Sequence, residues 1–180
     1  MELVGELAAL AATGKLGAVQ HGVRLADVAA AYGDPVASGR VSTKRRWPHR
    51  FCFGGLETVF CRCRMLSSLT VPLWRGELEL PGPDRTRTVA SRITESEMTA
   101  ALRAGGCRWD VVAYETLTDQ RALQTAPTED VRVGLVFTAR ESRDSPLLDD
   151  WILNKVNVWS MTEHECPPID PSLPDDGYGR

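Results

Sequence analysis

The chain has no apolar run near the roughly 20 residues that a membrane-spanning helix requires, and it opens Met1-Glu2, with an acid where a secretory leader carries bases. No span and no leader are therefore expected, and an unprocessed cytoplasmic protein is the natural reading. Cysteine is sparse. Its five residues are an odd number without framework spacing, which fits reduced thiols better than secreted disulfides. Lysine is sparser: 18 of the 21 basic residues are Arg, a bias read here as genomic nucleotide composition and as a pointer to a bacterial source. Paired carboxylates, a phosphate-cradling glycine loop and a nucleotide fingerprint are all missing, so the sequence offers no catalytic residues.

What is present is ordinary globular composition, 43% hydrophobic and 25% charged over 180 residues, enough for one well-packed domain. Residues 1–162 are expected to form that domain, with a first half of about 1–80 and a second of about 92–160. Beyond Pro167-Pro168 apolar residues run out, and 163–180 reads as a disordered acidic tail. The net charge of -3 conceals an asymmetry: between Arg40 and Arg75 eight bases face one acid, Glu57. Such a basic patch on an acidic protein can steer an acidic partner over about one Debye length, roughly 10 Å.

Leu3, Leu7 and Leu10 recur at helical spacing and predict a helix over 2–12, which decays at Gly14. Leu25, Val28, Ala29 and Tyr32 predict a second, stopped by Gly33-Asp34-Pro35. Residues 38–47 read as a basic connector without periodicity. Glu77–Leu80 suggests a short strand before a Pro81-Gly82-Pro83-Asp84 loop that runs to about Ser91. Thr94 and Glu97 have the spacing of a capping box, Ile93 can staple to Met98, and Gly105-Gly106 closes the helix over 95–104. Strands are expected at 108–115, 121–125, 131–139 and 154–160, with Val131, Val133, Leu135 and Phe137 giving the clearest alternation.

Three further strands lie between His49 and Trp74, and their loop parity decides which residues share a face. Phe51, Phe53, Val59, Cys61, Cys63, Met65, Val71 and Leu73 are all odd-numbered and share one face only if both loops have an odd number of residues. We therefore expect a three-residue loop at Gly54-Gly55-Leu56 and another around Ser67-Ser68. Two-residue loops would place the two phenylalanines on the face of Arg62 and Arg64 and bury charge. The expected core is Phe51, Phe53, Val59, Val71, Leu73, Leu102, Val133, Leu135 and Phe137. The fold class is α+β, a mainly antiparallel sheet with helices on one side.

Both halves read as a helix followed by antiparallel strands. The Tyr32-Gly33-Asp34-Pro35 helix end, the Phe53-Gly54-Gly55-Leu56-Glu57 hairpin and the apolar strand after it resemble small bacterial immunity proteins and the tandem-repeat inhibitor proteins that bind β-lactamases. Thr94-Glu95-Ser96-Glu97 through Trp109 to the Val131 strand looks like the same unit again, so the resemblance spans roughly residues 24 to 160. It implies two helix-plus-strands units and a protein that works by binding one protein partner, a toxin or an enzyme.

With odd loops, the outward sheet face carries Arg50, Phe60, Arg62, Arg64 and Trp74, a cationic field beside flat aromatic area of the kind enriched at interface hot spots. A protein partner is the first expectation for this face. The alternative is single-stranded nucleic acid, with Phe60 and Trp74 stacking bases and the arginines neutralising phosphates. Cys61-x-Cys63 and His164-x-Cys166 offer four donors of the type zinc takes. Cys61 and Cys63 nevertheless lie on the face expected to point into the core, and His164 lies in the tail. They are read as inert structural thiols, with no metal and no cofactor. Cys107 has no His or Asp at a recognisable spacing, and His21, His49 and His164 share no pattern.

Overall fold

The third helix shows how directly local chemistry becomes structure in this chain. In a computed structural model, which describes residues 2–44, 47–82, 86–114, 116–117, 119–139, 151–162 and 164–168, α3 runs Glu95–Ala104. The Thr94 hydroxyl accepts from the Glu97 amide at 3.2 Å and the Glu97 carboxylate accepts from the Thr94 amide at 2.7 Å, completing the capping box. Helix α1 (Leu3–Thr13) buries Leu3, Leu7, Leu10 and Ala11 and stops where Gly14 turns left-handed. Helix α2 (Leu25–Tyr32) buries Leu25 and Val28, and the amide of Gly33 donates to the Ala29 carbonyl at its end.

The strands are β1 (Lys15–Leu16), β2 (Val19–Gln20), β3 (Ala37–Arg40), β4 (His49–Phe53), β5 (Leu56–Phe60), β6 (Leu66–Pro72), β7 (Glu77–Leu80), β8 (Arg87–Ala90), β9 (Asp110–Ala113), β10 (Gln120–Thr125), β11 (Val131–Thr138) and β12 (Ile152–Ser160). Eight of them form one antiparallel sheet in the order β3-β4-β5-β6-β12-β11-β10-β9, so the fold is α+β as the periodicities predict. Each half of the sheet is a four-stranded meander preceded by a helix, and the halves meet where β6 pairs with β12. The helices and the inward side chains Phe51, Phe53, Leu56, Phe60, Leu69, Val71, Leu123, Val133, Leu135, Phe137, Leu153, Val156 and Val158 share one hydrophobic core. Buried Ala122 and Val136 lie on the opposite side of the sheet, outside that core.

Two expectations about the central hairpins are corrected. The β4–β5 loop has two residues, Gly54 and Gly55, because Phe53 pairs with Leu56 and Phe51 with Thr58. The even-numbered side of β5 therefore faces inward: Phe60 is 0% exposed, and Val59, expected in the core, is half-buried on the other side. The cost that argued against this register does not arise, since β5 ends at Phe60 and the chain turns before Arg62 and Arg64. Ser67 and Ser68 lie within β6 rather than in a loop. The other expected core residues, Phe51, Phe53, Val71, Leu73, Leu102, Val133, Leu135 and Phe137, are buried.

Two stretches without apolar alternation are ordered by pairing. The 38–47 connector contributes to β3, an edge strand against β4. The loop expected to run to Ser91 contains β8, which pairs with β7. Its hairpin packs against the Gly54-Gly55 turn, where the amide of Gly55 donates to the Glu79 carbonyl at 2.6 Å. Glycine is required there, because a Cβ on Gly54 (φ +55°) would stand 2.7 Å from that same oxygen.

Candidate metal centre

Between β5 and β6 the chain makes a tight turn. The amide of Arg64 donates to the Cys61 carbonyl at 3.0 Å, and that of Cys61 to the Met65 carbonyl at 2.9 Å. Arg64 closes the turn with φ +64°, an uncommon conformation for a residue with a Cβ and one that neighbours must hold in place. They do. The Leu25 amide donates to the Arg64 carbonyl at 2.9 Å, the Leu66 amide to Val23 and the Gly22 amide to Leu66, pinning the turn to the start of α2. The Arg64 guanidinium lies 3.8 Å over the Trp47 ring.

The turn leads into the start of β6, and β12 runs antiparallel beside β6, with Lys155 opposite Pro72 and Trp159 opposite Ser68. Past the last rung the chain leaves β12 beside this turn, and His164 and Cys166 come to lie against Cys61 and Cys63. The segment after β12 is fastened on both sides. Met161 donates its amide to the Asp130 carbonyl and Thr162 its hydroxyl to the Asp130 carboxylate, while Arg62 donates to the carbonyls of Cys166 at 3.2 Å and Pro167 at 3.0 Å.

The result is a four-donor cluster. The Sγ atoms of Cys61, Cys63 and Cys166 and a ring nitrogen of His164 all lie within 4.8 Å of one another. The Cys61 and Cys63 sulfurs are 3.1 Å apart, and His164 Nε2 is 2.8 Å from the Cys63 sulfur. A tetrahedral zinc ion, with Zn–S near 2.3 Å, spaces its sulfurs at about 3.8 Å, inside the range these donors span. The cysteines are half-buried and His164 is exposed, so the cluster lies at the surface with its sulfurs turned toward each other. Burial, followed by hydrogen bonding with Cys61 and Cys166, pushes the Cys63 thiol up to about 12. Burial also acts to raise Cys166, but hydrogen bonds from the Cys63 backbone and from the Cys61 and Cys63 side chains outweigh it and hold that thiol below its ordinary value. A Cys63 thiol that burial and its neighbours hold protonated is what a divalent cation would relieve.

The objection raised from sequence thus fails on geometry. Cys61 and Cys63 are in a turn and not on a core-facing strand, and His164 and Cys166, from the stretch expected to lack order, lie against them. Residues 169–180 lie outside the described residues. The signal available in sequence was the pair of matched donor spacings, Cys-x-Cys and His-x-Cys.

The basic aromatic face does not assemble. Phe60 is sealed in the core, edge-on to Phe51 at a centroid distance of 5.8 Å. Arg62 and Arg64 belong to the β5–β6 turn, where one holds the segment after β12 and the other stacks on Trp47. Arg50 is exposed on β4, 3.9 Å from Glu57, and Trp74, 49% exposed, lies in the turn after β6. Arg50 lines a cleft of about 630 Å³ between the sheet and the β7–β8 hairpin, together with Cys52, Glu57, Arg75, Glu77 and Glu79. No family model, no curated protein and no solved structure matches the chain, so the reading of these sites rests on their own geometry.

Proposed function

We propose that this protein binds one zinc ion through Cys61, Cys63, His164 and Cys166, and that the ion serves as a structural clasp fastening the end of β12 to the β5–β6 turn. One observation carries the reading: four soft donors, two from each of two segments about a hundred residues apart, lie within 4.8 Å of one another. Three thiols and an imidazole suit zinc over harder cations. Four protein ligands leave no open position for water or substrate, which is the pattern of a structural rather than a catalytic ion. Three thiolates and a neutral imidazole leave the centre one negative charge in excess, and the Arg62 guanidinium, donating to the Cys166 carbonyl, brings a positive charge beside it.

The test is metal analysis of the reduced protein, followed by substitution of cobalt(II), whose visible absorption reports tetrahedral thiolate ligation. One equivalent of zinc is expected, lost in Cys63→Ser and in His164→Ala and retained in Cys107→Ser. A reduced, folded protein that takes up no zinc from solution sinks the proposal.

Partner binding of the immunity or inhibitor type remains a second proposal, moved to a different surface. Its support is the cleft lined by Arg50 and Arg75, with exposed Trp74 next in sequence to Arg75, a combination of residue types frequent at hot spots. Affinity for an identified partner should fall by about 2 kcal/mol in Trp74→Ala. Indifference to both Trp74→Ala and Arg50→Ala would exclude this surface. Stacking of single-stranded nucleic acid loses its basis, because Phe60 cannot reach a base.

A further inference from the structure

Resting on the zinc reading, we propose that the clasp is a peroxide-sensitive switch: hydrogen peroxide oxidises Cys61 and Cys63 to a disulfide, the zinc leaves, and the segment carrying His164 and Cys166 lets go of the sheet. The Cys61 and Cys63 sulfurs stand 3.1 Å apart and are separated by one residue within a single turn, so they can join without moving any other element. The cluster lies at the surface beside exposed His164, where a small oxidant can reach it. Cys166 is on the other segment, which is attached to the turn through the donor cluster and the Arg62 hydrogen bonds.

The chemistry balances with hydrogen peroxide as the named oxidant. One thiolate sulfur attacks a peroxide oxygen; the S–O bond forms, the O–O bond breaks and hydroxide leaves, giving a sulfenic acid. The second thiolate attacks the sulfenic sulfur; the S–S bond forms, the S–O bond breaks and a second hydroxide departs. Two electrons pass from the two sulfurs to the peroxide, and two protons from solvent convert the hydroxides to water. The disulfide sulfurs are poor ligands. Zinc is left with His164 and Cys166, too few to hold it in a closed site. A disulfide spanning one residue closes a small ring, and strained disulfides are the readily reduced ones, so a thiol reductant should restore the dithiol and the clasp.

The experiment uses the full chain with Cys52 and Cys107 changed to Ser, which removes the thiols outside the cluster. Zinc content is measured first, since a protein that holds no zinc at this stage refutes the metal reading itself. Hydrogen peroxide is then added with a zinc-responsive dye, free thiols are alkylated, and tryptic peptides are mapped alongside hydrogen exchange. Cleavage after Arg62 makes the pairing legible: a Cys61–Cys63 bond joins peptide 51–62 to dipeptide 63–64 and leaves peptide 156–180 alkylated at Cys166. We expect that product, release of one equivalent of zinc, at least tenfold faster exchange across 164–168, and reversal of all three by dithiothreitol and zinc. Zinc retained under peroxide, or peptide 156–180 found in the disulfide, overturns the switch while leaving the metal site standing.

Discussion

Whether Phe60 or Val59 faces the core decides the register of the central hairpin, and a pair of alanine substitutions measures it. Phe60 is fully buried, opposite Leu66 and edge-on to Phe51. Burying a phenylalanine contributes about 1.5–3 kcal/mol by transfer alone, and the edge contact adds about 0.5–1.5 kcal/mol. The cavity left behind raises the expected cost of Phe60→Ala to about 3–5 kcal/mol. Val59 is half-buried on the other side, so Val59→Ala removes two partly covered methyls and should cost about 0.8 kcal/mol. Urea unfolding separates the two. With a slope of about 2 kcal/mol per M, Phe60→Ala should lower the midpoint by about 2 M and Val59→Ala by about 0.4 M. The same midpoints would refute the reasoning if Val59→Ala cost more than Phe60→Ala, the ranking that three-residue loops require.

Gly54→Ala combines a left-handed backbone with a Cβ 2.7 Å from the Glu79 carbonyl. It should cost at least about 2 kcal/mol and lower the melting temperature by about 4–8 °C; an unchanged melting temperature would show that the β7–β8 hairpin does not dock on this turn. Thr94→Ala removes the hydroxyl of the capping box and should destabilise by about 1 kcal/mol in denaturant titrations, with Thr94→Ser close to wild type. Zinc affinity should rise with pH: burial holds the Cys63 thiol up at about 12, so across the neutral range it must release a proton when metal binds. Competition with a chelator at about pH 6.5 and about pH 7.5 should show a gain of at least about tenfold, and a flat response would remove Cys63 from the ligand set.

Features set by short-range chemistry were legible in the sequence. The bounds of α2 and α3 follow from Gly33-Asp34-Pro35 and from the Thr94–Glu97 box, and β11 follows from the alternation of Val131, Val133, Leu135 and Phe137. β3 and β8 were not legible, because neither has an alternating pattern of its own and each is ordered by a neighbouring strand. Parity failed at β5 for a definable reason: extrapolating one strand through Arg62 and Arg64 assumed that it continued past Phe60, and the turn that ends it is held by Val23 and Leu25, roughly 40 residues upstream.

The four donors divide along the same line. By itself the sequence determined their types and their two matched spacings, and with them the chemistry the residues would have if they met. Only the tertiary structure decided that they meet, by pairing β6 with β12 in a register that brings the segment after β12 beside the turn that opens β6. That register is chosen by Leu69, Val71, Val156 and Val158, because a slip of one residue would turn these buried side chains to the opposite side of the sheet. What brings the four donors together is thus hydrophobic burial in the middle of the sheet, which no local reading of Cys-x-Cys or His-x-Cys contains.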